Sequence, residues 1–85
     1  MENVKELADV PRYVLIHSFG KHKHPGDGLW YATDQICPWC VYYAFAGHYF
    51  VTAQEALQYA AGRGFIPVDM IDRIKQNLYE RGLIE

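Results

Sequence analysis

Residues 37–51 read CPWCVYYAFAGHYFV, and the way this stretch folds decides the architecture of the 85-residue chain. Its first four residues hold both cysteines and allow three readings: a redox dithiol, half of a zinc site, or a tight turn that carries two thiols. Val41 to Phe45 is rich in β-branched and aromatic residues and reads as a strand, with a continuation beyond Gly47 to Val51. Leu29 to Gln35, on the other side, reads as a strand too. Cys37 to Cys40 then becomes the turn between two strands, with Pro38 at a turn position and Trp39 capping the end of the sheet.

Working outward, Arg12 to Phe19 (RYVLIHSF) is short and uniformly apolar and reads as the first strand. Gly20 to Gly28 (GKHKHPGDG) has three glycines and a proline and reads as a loop. Upstream, Val4, Leu7 and Ala8 place a short helix over Glu2 to Asp9, which Pro11 prevents from continuing. Downstream, Thr52 and Glu55 have the spacing of a capping box, and Ala53, Ala56, Leu57 and Ala60 follow as an apolar stripe that Gly62 and Gly64 can end. A second helix is expected from about Pro67 to Arg81, with a stripe of Val68, Ile71, Ile74 and Leu78 and with Gly82 as its C-terminal cap. Tight connections between strands favour antiparallel pairing. The expected fold is α+β: a three-stranded antiparallel β-meander with two C-terminal helices packed on one face and a short N-terminal helix, in a single domain over residues 1–85.

The bulk properties fit that picture. A chain of 85 residues buries only about 60% of its unfolded surface, and 51% hydrophobic with 15% aromatic residues is enough for one small core. No apolar run approaches the ~18 residues of a membrane span, and MENVKELADV has no secretory signature, so a soluble, cytoplasmic protein is expected. A net charge of −2 supplies no basic field for phosphate. The last two helices could be drawn as a helix-turn-helix, but Asp69, Asp72 and Glu80 oppose Arg73, Lys75 and Arg81 on the second, so nucleic acid is an unfavoured partner and a solvated helical face the better account.

If the strand connections are symmetrical, Tyr13, Leu15, His17 and Phe19 share a face with Leu29, Tyr31, Thr33, Tyr42, Ala44 and Ala46. Val14, Ile16, Trp30, Ala32, Val41, Tyr43 and Phe45 occupy the other, which is the better core. The mixed face of Tyr13, His17, Tyr31, Thr33 and Tyr42 is then a candidate contact surface for a protein partner or for a second copy in a homodimer, because tyrosine offers area together with a hydroxyl that tolerates water. The plainer account has these tyrosines packed beneath the N-terminal segment, and a one-residue change of register would exchange the faces.

CPWC is similar to the active-site motif of glutaredoxin-like members of the thioredoxin superfamily, a resemblance that implies a dithiol oxidoreductase. It covers four residues; in that family the motif opens a long helix, whereas here a strand-like VYYAFAG follows. As a zinc site, Cys37 and Cys40 would join His22 and His24. An extended second strand would set those pairs about 20 Å apart at ~3.3 Å per residue. A different cluster of His22, His24, His48 and Asp27 could hold zinc, nickel or copper, or act as a pH-sensitive patch, against the plainer account of a solvated loop tip. Apart from Cys37 or Cys40 with an unplaced histidine, no nucleophile and base pair stands out, nor does a phosphate loop or a pair of carboxylates.

The leading expectation is a non-enzymatic protein-interaction module that docks its tyrosine-rich face or its His-rich loop on a macromolecular partner. In size and composition the chain resembles the small inhibitors and regulators of phages and mobile elements, anti-defence proteins among them; this is a resemblance of class, not of motif. A zinc-stabilised binding module and a CPWC dithiol oxidoreductase are the alternatives.

Overall fold

The computed structural model describes residues 13–23 and 26–85, the side chains of 21–23 excepted. The helix expected at Glu2 to Asp9 lies outside them. The described chain is an antiparallel sheet of four strands in sequence order, β1 (Val14–Lys23), β2 (Gly26–Tyr31), β3 (Trp39–Tyr43) and β4 (Ala46–Phe50), followed by α1 (Ala53–Gly62) and α2 (Met70–Glu80). The α+β class, the meander and the two C-terminal helices are as expected; the count of three strands is corrected to four.

The fourth strand arises because 41–51 is a hairpin and not one run. Tyr43 pairs with Ala46, leaving Ala44 and Phe45 as a two-residue turn with φ of 53° and 66°. Both values are left-handed, as a type I′ turn demands, and such turns favour Asn-Gly. Alanine and phenylalanine carry no such signal. The turn is held by the Asp27 carboxylate, which accepts a hydrogen bond from the Ala44 N–H at 3.1 Å.

The helices follow their local chemistry. Thr52 Oγ1 accepts from the Glu55 N–H at 3.2 Å, and Glu55 Oε1 accepts from the Thr52 N–H at 3.3 Å, closing the capping box of α1. Both helices end in Schellman motifs: Phe65 N–H reaches Ala60 O and Gly64 N–H reaches Ala61 O after α1, and Leu83 N–H reaches Leu78 O and Gly82 N–H reaches Tyr79 O after α2. Gly64 and Gly82 take the left-handed conformation that this requires, with φ of 82° and 75°. Helix α2 opens with tight bonds from Met70 to Pro67 and from Ile71 to Val68, so Pro67 enters it through a turn rather than as helix.

One helix-facing core joins Leu29, Trp39 and Val41 of the sheet to Ala56, Leu57, Ala60, Ile74 and Leu78. Phe65, carried out of α1 by its Schellman turn, stacks on Tyr43 with ring centroids 4.1 Å apart. A second cluster of Tyr13, Ala32, Cys40 and Tyr42, with Trp30 and Tyr49 against it, fills the opposite face. The sheet is therefore buried on both sides, and the expected assignment of faces changes. Tyr31 pairs with Trp39 and Trp30 with Cys40, one residue away from the register in which Tyr31 and Tyr42 would be neighbours. That single step sends Leu29 and Tyr31 toward the helices and Trp30 away from them. Phe45, expected in the core, sits 53% exposed at the hairpin tip.

Strand β1 has its own irregularity. Leu15 pairs with Trp30 and His17 with Leu29, so Ile16 is an extra residue and the strand bulges there. Strand β2 begins at Gly26, inside the segment expected to be loop. At Gly28 a Cβ would overlap the His17 carbonyl oxygen and lie 2.6 Å from Leu15 Cδ1. This glycine marks close approach of β1, not a flexible connection.

Candidate functional site

The five residues expected to form one contact face are dispersed. Tyr13 and Tyr42 are 7% and 0% exposed in the second cluster, and Tyr31 packs in the helix-facing core with its ring 4.4 Å from Trp39. Thr33 is exposed in the connection after β2, and His17 is half-buried against α2. Tyr13 braces the second cluster, since its hydroxyl donates to the Cys37 carbonyl and its ring meets Tyr49 edge-on at 5.6 Å. A contiguous tyrosine face is thus replaced by a second core.

The CPWC segment also moves. The connection between β2 and β3 spans Ala32 to Pro38 and is closed by the Ala32 N–H donating to Pro38 O at 2.9 Å. Trp39 and Cys40 are the first residues of β3, where Trp39 is buried in the helix-facing core instead of capping the sheet. Cys37 is half-buried in the connection and Cys40 is fully buried. Neither thiol stands at the start of a helix, where the dipole and free N–H groups would favour a thiolate. Burial pushes the Cys40 thiol up to about 12, against weaker opposing hydrogen bonds from Tyr49 and His48.

Two consequences can be measured. In folded protein at pH 8, iodoacetamide should alkylate Cys37 while leaving Cys40 unmodified, and in denaturant it should alkylate both; equal native rates at the two sites, read by fragment mass spectrometry, would contradict this burial. Burial likewise raises Tyr13 to about 12. Above the ordinary thiol value of 9.0 the unfolded chain releases protons that the folded chain still holds. Stability is therefore fully present below about pH 9 and falls between pH 9 and 12.

Among the described residues, no three of His, Cys, Asp and Glu converge as a metal-binding group. Strand β2 runs from the end where Lys23 pairs with Gly26 to the connection bearing Cys37, so the backbone of His22, in β1, lies at the opposite end of the sheet from Cys37. His24 and the side chain of His22 lie outside the described residues. In the second set, the exposed His48 lies against Tyr59 of α1 with ring centroids 5.2 Å apart, and Asp27 is buried and engaged with Ala44. No described helix is long and apolar enough to cross a membrane.

Two arrangements were not expected from the sequence, although His17 and Asp27 take part in them. The first is the β3–β4 tip, where Ala44 and Phe45 are held left-handed and Phe45 is presented outward. No turn residue announces it. The second is a cleft between β1 and α2, whose α2 wall is the stripe Met70, Arg73, Ile74 and Asn77. The i, i+3, i+4, i+7 spacing of that stripe is legible in the sequence, but Arg73 reads there as part of a solvated face. Comparison with protein families, with curated proteins and with solved structures finds no match to this chain.

Proposed function

We propose that the chain is a non-enzymatic protein-interaction module whose contact centre is Phe45 at the tip of the β3–β4 hairpin. The observation that carries this reading is the cost at which the tip is kept. A bulky residue with positive φ is a genuine outlier, and left-handed backbone costs an L-residue roughly 1–2 kcal/mol. Such strain persists where the surroundings impose it and clusters at functional positions. Here the surroundings are the buried Asp27 carboxylate on the Ala44 N–H and the paired strands on either side.

What the strain achieves is presentation. Phe45 is 53% exposed at the end of the sheet where Lys23 of β1 pairs with Gly26 of β2. A phenylalanine on a short, hydrogen-bonded turn loses little freedom on docking, which is how an aromatic anchor comes to dominate an interface. The size and composition suit a small inhibitor or regulator of the kind phages and mobile elements carry, acting by occupying a partner's surface.

The test is site-specific photo-cross-linking in cells that contain the partner. A benzoylphenylalanine at position 45 should give one principal protein adduct, competed by unlabelled protein, whereas the same group at the exposed position 68 should not. The captured protein, purified, should bind the F45A variant at least tenfold more weakly than wild type, as loss of a central aromatic anchor predicts. Equal labelling from both positions, or unchanged affinity of the F45A variant, would refute the assignment.

A further inference from the structure

We infer that the cleft between β1 and α2 is a binding site for a carboxylate carried on a short aliphatic body. It has a volume of about 250 Å³ and is lined by Ile16, His17, Met70, Arg73, Ile74 and Asn77. This lies just below the ~300 Å³ at which pockets begin to take drug-sized ligands, so it suits a group the size of one aliphatic side chain and its carboxylate.

The cleft is built by the bulge. With Ile16 inserted between Leu15 and His17, β1 turns both Ile16 and His17 toward α2 instead of alternating them. The opposite wall is one face of α2, because residues 70, 73, 74 and 77 are neighbours at helical spacing. Ile16, Met70 and Ile74 are the apolar part of the lining, and its polar groups are the half-buried His17 imidazole and the exposed Arg73 guanidinium and Asn77 carboxamide.

The chemistry of these polar groups selects the ligand. Among the described residues no carboxylate lines the cleft and Arg73 has no ion-pair partner. Guanidinium binds carboxylate through two parallel N–H bonds, and the Asn77 amide can supply a further donor. Apolar surface beneath a convergent set of donors accommodates a tail and a negatively charged head together. The carboxylate can come from a free short-chain fatty acid or from the C-terminus of a peptide. For the peptide, β1 offers more: among the described residues it is an outer strand of the sheet, and an outer strand can pair with an extended chain.

The experiment is a titration followed by amide chemical shifts in the folded full chain. The probes are octanoate, octanamide, and a tetrapeptide ending in leucine with either a free or an amidated C-terminus. Octanoate and the free-acid peptide should move the amides of residues 16, 17, 73 and 77, and their neutral counterparts should not. The R73Q variant should weaken carboxylate binding about tenfold to a hundredfold, the range expected for loss of a charge-assisted hydrogen bond, while R81Q, at the far end of α2, leaves it unchanged. Tighter binding of the peptide than of octanoate identifies a protein C-terminus as the source; equal binding identifies a free carboxylate. Equal shifts with octanoate and octanamide, wild-type affinity in R73Q, or no movement of these amides at millimolar probe would each overturn the site.

Discussion

Replacing Gly28 by alanine should lower the unfolding free energy by about 3 kcal/mol, the upper part of the range for an overpacked site. The added Cβ would overlap the His17 carbonyl oxygen and meet Leu15 Cδ1 at 2.6 Å and Ser18 Cα at 3.2 Å. A flexible side chain such as Leu15 can swing aside, but two of the three atoms are backbone. For the Cβ to fit, β1 must move away from β2 where Ser18 pairs with Gly28 and His17 with Leu29. A domain of this size shifts its melting temperature by roughly 4–8 °C per kcal/mol, so thermal denaturation should show a loss of about 12–24 °C. Amide exchange should locate the damage in β1 and leave α1 protected. Adding L15A would restore little, because the carbonyl contact remains. A G28A melting temperature within 2 °C of wild type would mean that β1 does not approach β2 as described.

That glycine illustrates where the sequence could and could not be read. Signals that act within a few residues were legible: Thr52 with Glu55 specified the start of α1, and Gly64 and Gly82 the ends of both helices, because each closes hydrogen bonds within one turn of itself. Gly28 carries the same letter as a loop glycine, and only the proximity of β1 distinguishes them. The sheet faces depended on register, where an error of one residue between β2 and β3 exchanged Tyr31 and Trp30 and turned an expected contact surface into the walls of two cores. The candidate metal sites depend on tertiary placement in the same way. Cys37, Cys40 and the histidines have plausible ligand chemistry, but metal binding needs convergence within a few ångströms, which spacing along the chain does not give. The bulge at Ile16 shapes the cleft through a mismatch between two strands, and neither strand shows it alone.

The β3–β4 hairpin was illegible because its turn residues oppose its conformation, and this makes the second large effect a gain. Changing Ala44-Phe45 to Asn-Gly should raise stability by about 1–3 kcal/mol, since both replacements accept positive φ that alanine and phenylalanine adopt only under strain. The Ala44 N–H that donates to Asp27 is a backbone group and survives the change. The melting temperature should rise by roughly 4–24 °C. The same variant should lose binding to the protein captured through position 45, because the anchor is gone while the scaffold is firmer. Separating the two effects needs A44N alone, which relieves strain at one residue and keeps the aromatic ring: it should gain part of the stability and retain full affinity. Strained backbone of this kind clusters at functional positions, which is the ground for proposing Phe45 as the contact centre. If the Asn-Gly variant is no more stable than wild type, the backbone at 44 and 45 stores no strain and Phe45 has no claim to be the contact centre; if it is more stable and still binds as wild type does, the strain is real and the contact centre lies elsewhere.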